Sequence, residues 1–283
     1  MIELESVPQL REPVLIAAFE GWNDAGESAT AAVEHLEQTW HAAPLASLDP
    51  EEYYDFQVNR PQVGFDTEGN RFLRWPTTRM SLTQENDLGR DVVLLRGIEP
   101  NLRWRGFCSE LLGVAAELGI DQIVTFGALL ADVPHTRPVP VTASSSEPAA
   151  SNRVLNVEQS RYEGPTGIVG VFQDAAVKAG FDAVSLWAAV PHYVGQSPCP
   201  KATVVLLRRL EDLLEMSIPL GDLPDQAEAW QHGVEELTRE DSDIAEYVQR
   251  LEEASDTIEL PEASGEHIAR EFERYLRHRG NDT

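Results

Sequence analysis

The 283-residue chain has only two cysteines, Cys108 and Cys199, far apart in the sequence. With no Cys-x-x-Cys pair and no Cys/His cluster, neither a disulfide framework nor a structural zinc site is supported. Positive charge is scarce: 22 basic residues face 48 acidic ones, a net charge of −26. Nucleic acid and anionic membranes require a basic footprint, so both are excluded as general partners. No apolar run reaches the roughly 18 residues of a membrane-spanning helix. Met1–Arg11 lacks a basic start followed by an apolar stretch, does not read as a secretory signal, and leads us to expect a cytoplasmic protein. Lysine is rarer still, Lys178 and Lys201 alone, which we read as codon usage rather than chemistry. Recognisable catalytic strings are missing as well. Ser144-Ser145-Ser146 lacks the glycines of a G-x-S-x-G elbow, and there is no H-E-x-x-H and no G-x-G-x-x-G after a strand.

What is present is enough apolar material for a core, 42% of the residues, which rules out global disorder. Short apolar runs of strand length occur at Pro13–Phe19, Asp91–Arg96, Gln122–Phe126 and Asp182–Val190. Between them, apolar residues recur at helical spacing: Ala25, Ala29, Val33, Leu36 and Trp40; then Trp104, Phe107, Leu111, Leu112, Ala115 and Leu118; then Ile168, Val171, Phe172, Ala175, Ala176 and Ala179, with Thr166 as the expected N-cap. A largely buried helix is expected over Ala202–Met216. Strand–helix–strand units predict an α/β fold, a mostly parallel sheet covered by helices on both faces. Gln62–Trp75, with a polar turn at Asp66–Asn70, predicts an added hairpin. Acidity rises near Ile218–Gly221: Glu211–Thr283 holds 21 acidic and 6 basic residues. We therefore expect a core domain over 1–218 and an acidic helical appendage over 219–283. Its stripes begin at Ala227, Ile244 and Ile268, and Asp243 with Glu246 is spaced as a capping box.

Several strings follow predicted strands and so belong at the carboxyl edge of the sheet, where open α/β sheets bind ligands. Gly21-Trp22-Asn23-Asp24-Ala25-Gly26-Glu27-Ser28 has P-loop spacing with glutamate at the lysine position. Glu27, Asp24 and Glu20 repel phosphate, so a turn and cap role for Asp24 is the plainer reading. Gly127–Pro138 carries Asp132, His135 as a candidate acid/base group and Arg137 as an anion clamp; the alternative is an ordered loop with an exposed histidine. Arg96 and Glu99 either face the same cleft or pair with each other. His192 ends the fourth strand. Asp24, Arg96, Glu99, His135, Arg137 and His192 are thus the candidate lining of one rim cleft, with no catalytic role assigned and no metal or cofactor expected.

The strings Gly21–Gly26, Gly127–Pro138, Tyr162–Gly167 and Pro191-His192-Tyr193 resemble the proteasome assembly chaperone 2 family, in its actinobacterial branch, and cover most of residues 10–215 in order. The resemblance implies a three-layer α/β/α core of the nucleoside phosphorylase/hydrolase-like kind, homo-oligomers, with a trimer expected, and a protein partner related to the proteasome. Eukaryotic relatives act as assembly chaperones, and some archaeal relatives resemble proteasome activators that dock through a C-terminal hydrophobic–Tyr–any-residue tail. This sequence ends Gly280-Asn281-Asp282-Thr283, so docking through such a tail is not expected. Two functions follow: a non-catalytic protein-binding or assembly-chaperone-like role, or a hydrolase or phosphorylase acting on a small polar substrate. An anion pocket beside Arg96 or Arg137 favours the enzyme; a flat apolar patch favours the chaperone.

Overall fold

Strands whose residues are apolar in unbroken succession form the middle of the sheet, because both of their faces are covered. In the computed structural model, which describes residues 8–84, 89–145, 163–194 and 198–259, β1 (Val14–Glu20) is buried through Phe19. Its alternate residues serve two separate cores. Val14, Ile16 and Ala18 join one, and Leu15, Ala17 and Phe19 join the other. The helical stripe expected at Ile268, the terminal Gly280–Thr283 and Tyr162 lie outside the described residues.

The remaining strands are β2 (Ala43–Ser47), β3 (Gln62–Phe65), β4 (Arg71–Arg74), β5 (Arg79–Thr83), β6 (Val92–Ile98), β7 (Gln122–Ala131), β8 (Val141–Ser145) and β9 (Asp182–Pro191). Among the described residues, seven of these nine strands form one sheet in the order β2-β5-β6-β1-β7-β9-β8. The inner four, β6-β1-β7-β9, run parallel; β5, β2 and β8 are antiparallel additions at the edges. The helices are α1 (Ser28–Thr39), α2 (Trp104–Glu117), α3 (Ile168–Lys178), α4 (Pro200–Leu214), α5 (Leu223–Glu240) and α6 (Ser242–Glu259). α1 and α4 cover one face through Val33, Leu36, Leu206 and Leu210. α2 and α3 cover the other through Phe107, Leu111, Phe172 and Ala176. The molecule is thus a three-layer α/β/α fold with a mostly parallel sheet, and β3 and β4 form the separate hairpin expected over Gln62–Trp75.

Three local expectations are corrected. The first helix does not start at Ala25. Gly26 and Glu27 both adopt positive φ, so Ala25–Glu27 is a single 3₁₀ turn and the α-helix begins at Ser28. Thr166 makes no cap bond to α3; its hydroxyl lies over Gly170, and Gly167 occupies the cap position. At α6 the capping residue is Asp241 rather than Asp243, its Oδ1 accepting from the amides of Asp243 and Ile244.

The composition change near Ile218 is not a gap in packing. Ile218 is fully buried in the α1/α4 core, and Leu223 and Trp230 of α5 pack against the same core. Among the described residues no helix is long and apolar enough to cross a membrane.

Candidate functional site at the carboxyl rim

The chain leaves β1 at the point where successive strands turn to opposite sides: β6 lies on one side of β1 and β7 on the other. Such a switch point opens a crevice between neighbouring loops in doubly wound sheets. Here the segment after β1 is tied across it. The amide of Ala128 donates to the Asn23 carbonyl at 2.8 Å, and Asp24 bridges Ala128 in parallel.

Asp24 is the cap of α1. Its Oδ1 accepts from the amides of Ala29 (2.7 Å) and Thr30 (3.3 Å), and its Oδ2 accepts from the Thr30 hydroxyl. Burial pushes the Asp24 carboxyl above its usual range, while the Thr30 and Ala29 bonds pull it back. The first-turn amides that a P-loop offers to phosphate are therefore held by the chain's own carboxylate.

Glu99 performs the same service at a distance. It follows β6, and its Oε1 accepts the Ile168 amide at 2.8 Å. Asn23 Oδ1 accepts the next amide, Val169, at 3.2 Å. A Cβ on Gly167 would come within 2.1 Å of Asn23 Oδ1, so any larger residue there displaces the Asn23 amide from Val169. Two loops from different strands thus supply the N-terminal acceptors that α3 lacks locally.

Arg96 neither pairs with Glu99 nor joins it. Strand alternation turns Arg96 towards α1, where Nε reaches Glu37 Oε2 at 2.9 Å and Nη2 reaches the same oxygen at 2.7 Å, with Glu34 at 3.8 Å.

The long loop after β7 has a different occupation. His135 is buried rather than exposed, at 2%. Its backbone amide donates to Tyr193 Oη at 2.8 Å, and its Nδ1 lies 2.9 Å from the same oxygen. Its Nε2 is buried with no hydrogen-bond partner. Burial drives the imidazole pKa down, against the carboxylate of Glu235, and raises the Tyr193 phenol to about 12. Lys201, on the first turn of α4, donates to the carbonyls of His135 (2.5 Å) and Arg137 (2.9 Å) and to Gln231 Oε1 of α5 (2.7 Å).

Arg137 grips α6. Its Nε and Nη2 meet the two carboxylate oxygens of Asp256 at 2.7 and 2.9 Å, and its Nη1 lies 3.4 Å from Glu252. Thr136 also donates to Glu252. Asp132 accepts from Tyr247 of α6 at 3.0 Å and lies 3.2 Å from His192 Nδ1. The rings of His192, Tyr193 and Tyr247 pack edge to face at 5.4–6.1 Å.

The six candidate residues therefore occupy three settings. Asp24 caps α1 and Glu99 caps α3, on opposite faces of the sheet, Arg96 faces α1, and His135, Arg137 and His192 belong to the seat of the C-terminal helices. Sequence reasoning did not find Lys201, Asn23, Tyr247, Glu252 or Asp256. The scarcity of lysine was a usable signal: one of the two lysines holds three acceptors, so reading the pair as codon usage alone was incomplete. Among the described residues no group of three or more His, Cys, Asp or Glu side chains is placed to hold a metal ion.

Apolar side chains stand exposed beside these engaged groups. Trp22 is 62% exposed, and Leu129 and Leu130, on the extension of β7, are also exposed.

The model of the PAC2 family matches residues 18–238. Among solved structures, a PAC2 family protein from Streptomyces avermitilis is 57% identical, with a TM-score of 0.78 over 83% of this chain and 99% of that one. A proteasome-assembly chaperone homologue from Mycobacterium tuberculosis is 55% identical, with a TM-score of 0.75 and the same coverage. An archaeal proteasome activator from Pyrococcus furiosus, at 18% identity and a TM-score of 0.67 over 84% of this chain and 98% of that one, shares the fold. No curated protein matches the sequence. The family model spans most of the chain and runs through the composition change at Ile218, and two solved relatives exceed half identity over nearly their whole length: the chain belongs to the PAC2 family.

Proposed function

We propose that the chain is a non-catalytic, assembly-chaperone-like protein that binds proteasome-related partners in the cytoplasm. One observation carries this reading. The charged rim groups are occupied by caps and helix latches, while large apolar side chains such as Trp22 and Leu130 face solvent beside them. The Asn23–Ala128 hydrogen bond brings the segments of Trp22 and Leu129 together, and exposed apolar side chains gathered in one place mark a protein contact surface. The relative from Mycobacterium tuberculosis described as a proteasome-assembly chaperone homologue supports the same reading. The enzyme reading calls for an anion pocket beside Arg96 or Arg137, yet each of these guanidiniums is engaged by carboxylates of a neighbouring helix. The reading includes self-association, expected as a trimer; light scattering at micromolar concentration that gives the monomer mass would contradict that part. The test of the function is affinity purification of the tagged full chain from its own cells, followed by mass spectrometry. Enrichment of proteasome subunits over an untagged control is expected, and recovery of none overturns the proposal.

A further inference from the structure

The hairpin β3–β4 differs from the rest of the molecule in charge, in exposure and in edge chemistry. Residues 60–79 hold four arginines against Asp66 and Glu68, in a chain of net charge −26. Several arginines elsewhere meet carboxylates, as at Arg96, Arg103, Arg137 and Arg239. Among the described residues Arg60, Arg71, Arg74 and Arg79 have no such partner, and all four are exposed. Apolar side chains are interleaved with them. The register places Val63 opposite Leu73 and Phe65 opposite Arg71 on one face, and Gly64 opposite Phe72 and Gln62 opposite Arg74 on the other. Phe65 is 68% exposed, and Val63, Phe72, Leu73 and Trp75 are also exposed.

A groove of about 380 Å³ runs between this hairpin and the end of β2, lined by Leu48, Phe72, Trp75, Arg74 and Arg79 among others. Trp75 is held edge to face on Phe56 at 4.9 Å, which fixes one wall. Each strand of the hairpin has one neighbour among the described residues, so both outer edges keep backbone donors and acceptors open.

We propose that this hairpin and groove form a docking site for an extended, acidic segment of a partner protein carrying an aromatic or aliphatic anchor. The arginines meet its carboxylates, Phe72 and Trp75 receive the anchor, and an open hairpin edge pairs with its backbone, as in strand addition. At physiological salt charges more than roughly 8 Å apart are largely screened, so a short acidic segment senses the local excess of arginine rather than the net charge of the chain. A second copy or a nucleic-acid strand is larger than the arginine patch and carries its negative charge onto the acidic surface around it, within the distance at which like charges repel. The proposal rests on the protein-binding reading above and names the surface and the chemistry of the partner.

The test is fluorescence anisotropy with the full chain and three labelled probes. The first is a peptide of about 12 residues alternating Asp and Glu with Leu and one Phe; the second is its Lys counterpart; the third is an oligothymidylate. The acidic peptide should bind, and the R71E/R74E/R79E variant should weaken it by roughly tenfold or more, as should raised salt. Arg105→Glu, on α2, should leave binding unchanged, and an unchanged melting profile of the triple variant shows that it folds. The proposal is overturned by absence of binding, by equal binding of the Lys peptide, by tighter binding of the oligonucleotide, or by self-association that the triple variant abolishes. If the acidic peptide binds but no proteasome subunit co-purifies, the functional reading fails and the surface stands. If subunits co-purify equally with the triple variant, the surface fails and the functional reading stands.

Discussion

His135 and Lys201 show how a single side chain can decide whether two elements stay together. The His135 imidazole is buried with Nε2 unsatisfied, and burial holds its pKa below the ordinary 6.5. The unfolded chain therefore takes up a proton that the native chain refuses. Stability is complete above about 6.5 and falls as pH drops from there towards the native value. His135→Asn retains a polar atom near Nδ1 for Tyr193 and removes the titration. Chemical denaturation at a series of pH values should show a shallower loss of stability below pH 6.5 for that variant; an unchanged slope assigns the effect elsewhere. Lys201 is a stronger constraint. Its ammonium satisfies two carbonyls of the His135 loop and Gln231 of α5, and burial lowers its pKa. Lys201→Met should cost about 2–4 kcal/mol, because buried acceptors lose their donor. Urea unfolding measures this, and a loss below about 0.5 kcal/mol would show that water replaces the ammonium without penalty.

Elements in this molecule are completed by groups from outside themselves. α3 has no side-chain cap of its own, and its first amides are received by Glu99 and Asn23 from two other loops. Glu99→Ala should destabilise the chain by about 1 kcal/mol and raise hydrogen exchange at the first turn of α3. Glu99→Gln, which keeps an acceptor oxygen, should recover most of that loss. Unchanged exchange at Ile168 and Val169 in the alanine variant would remove Glu99 from the capping role. The same dependence explains which elements the sequence revealed. β1, β6, β7 and β9 are buried on both faces and so appear as near-continuous apolar runs, interrupted at Arg96, Thr125 and Ser185. The edge strands β2, with Pro44 at its second position, and β8, together with β5 between β2 and β6, are short and mixed, and their pairing is decided by neighbours far along the chain. The cap role of Asp24 was legible because it depends on residues five and six positions ahead. The seat of α6 was not, because Arg137 meets Asp256 more than a hundred residues later.

At the scale of the whole molecule, acidity and a fully engaged rim act together. The amides at the start of α1 are held by Asp24, and Glu20 and Glu27 lie close to it in charge. Isothermal titration with magnesium–ATP should therefore show no binding tighter than about 100 μM, or roughly −5.5 kcal/mol. Tighter binding would mean that the Asp24 cap yields to phosphate. The central claim is that this PAC2 family chain acts by holding protein partners rather than by transforming a small molecule. Native mass spectrometry of the full chain co-expressed with proteasome subunits tests it most directly. The account predicts a discrete complex of the chain with unassembled or partly assembled subunits, absent from the mature particle. Spectra in which the chain and every subunit species remain separate would contradict it.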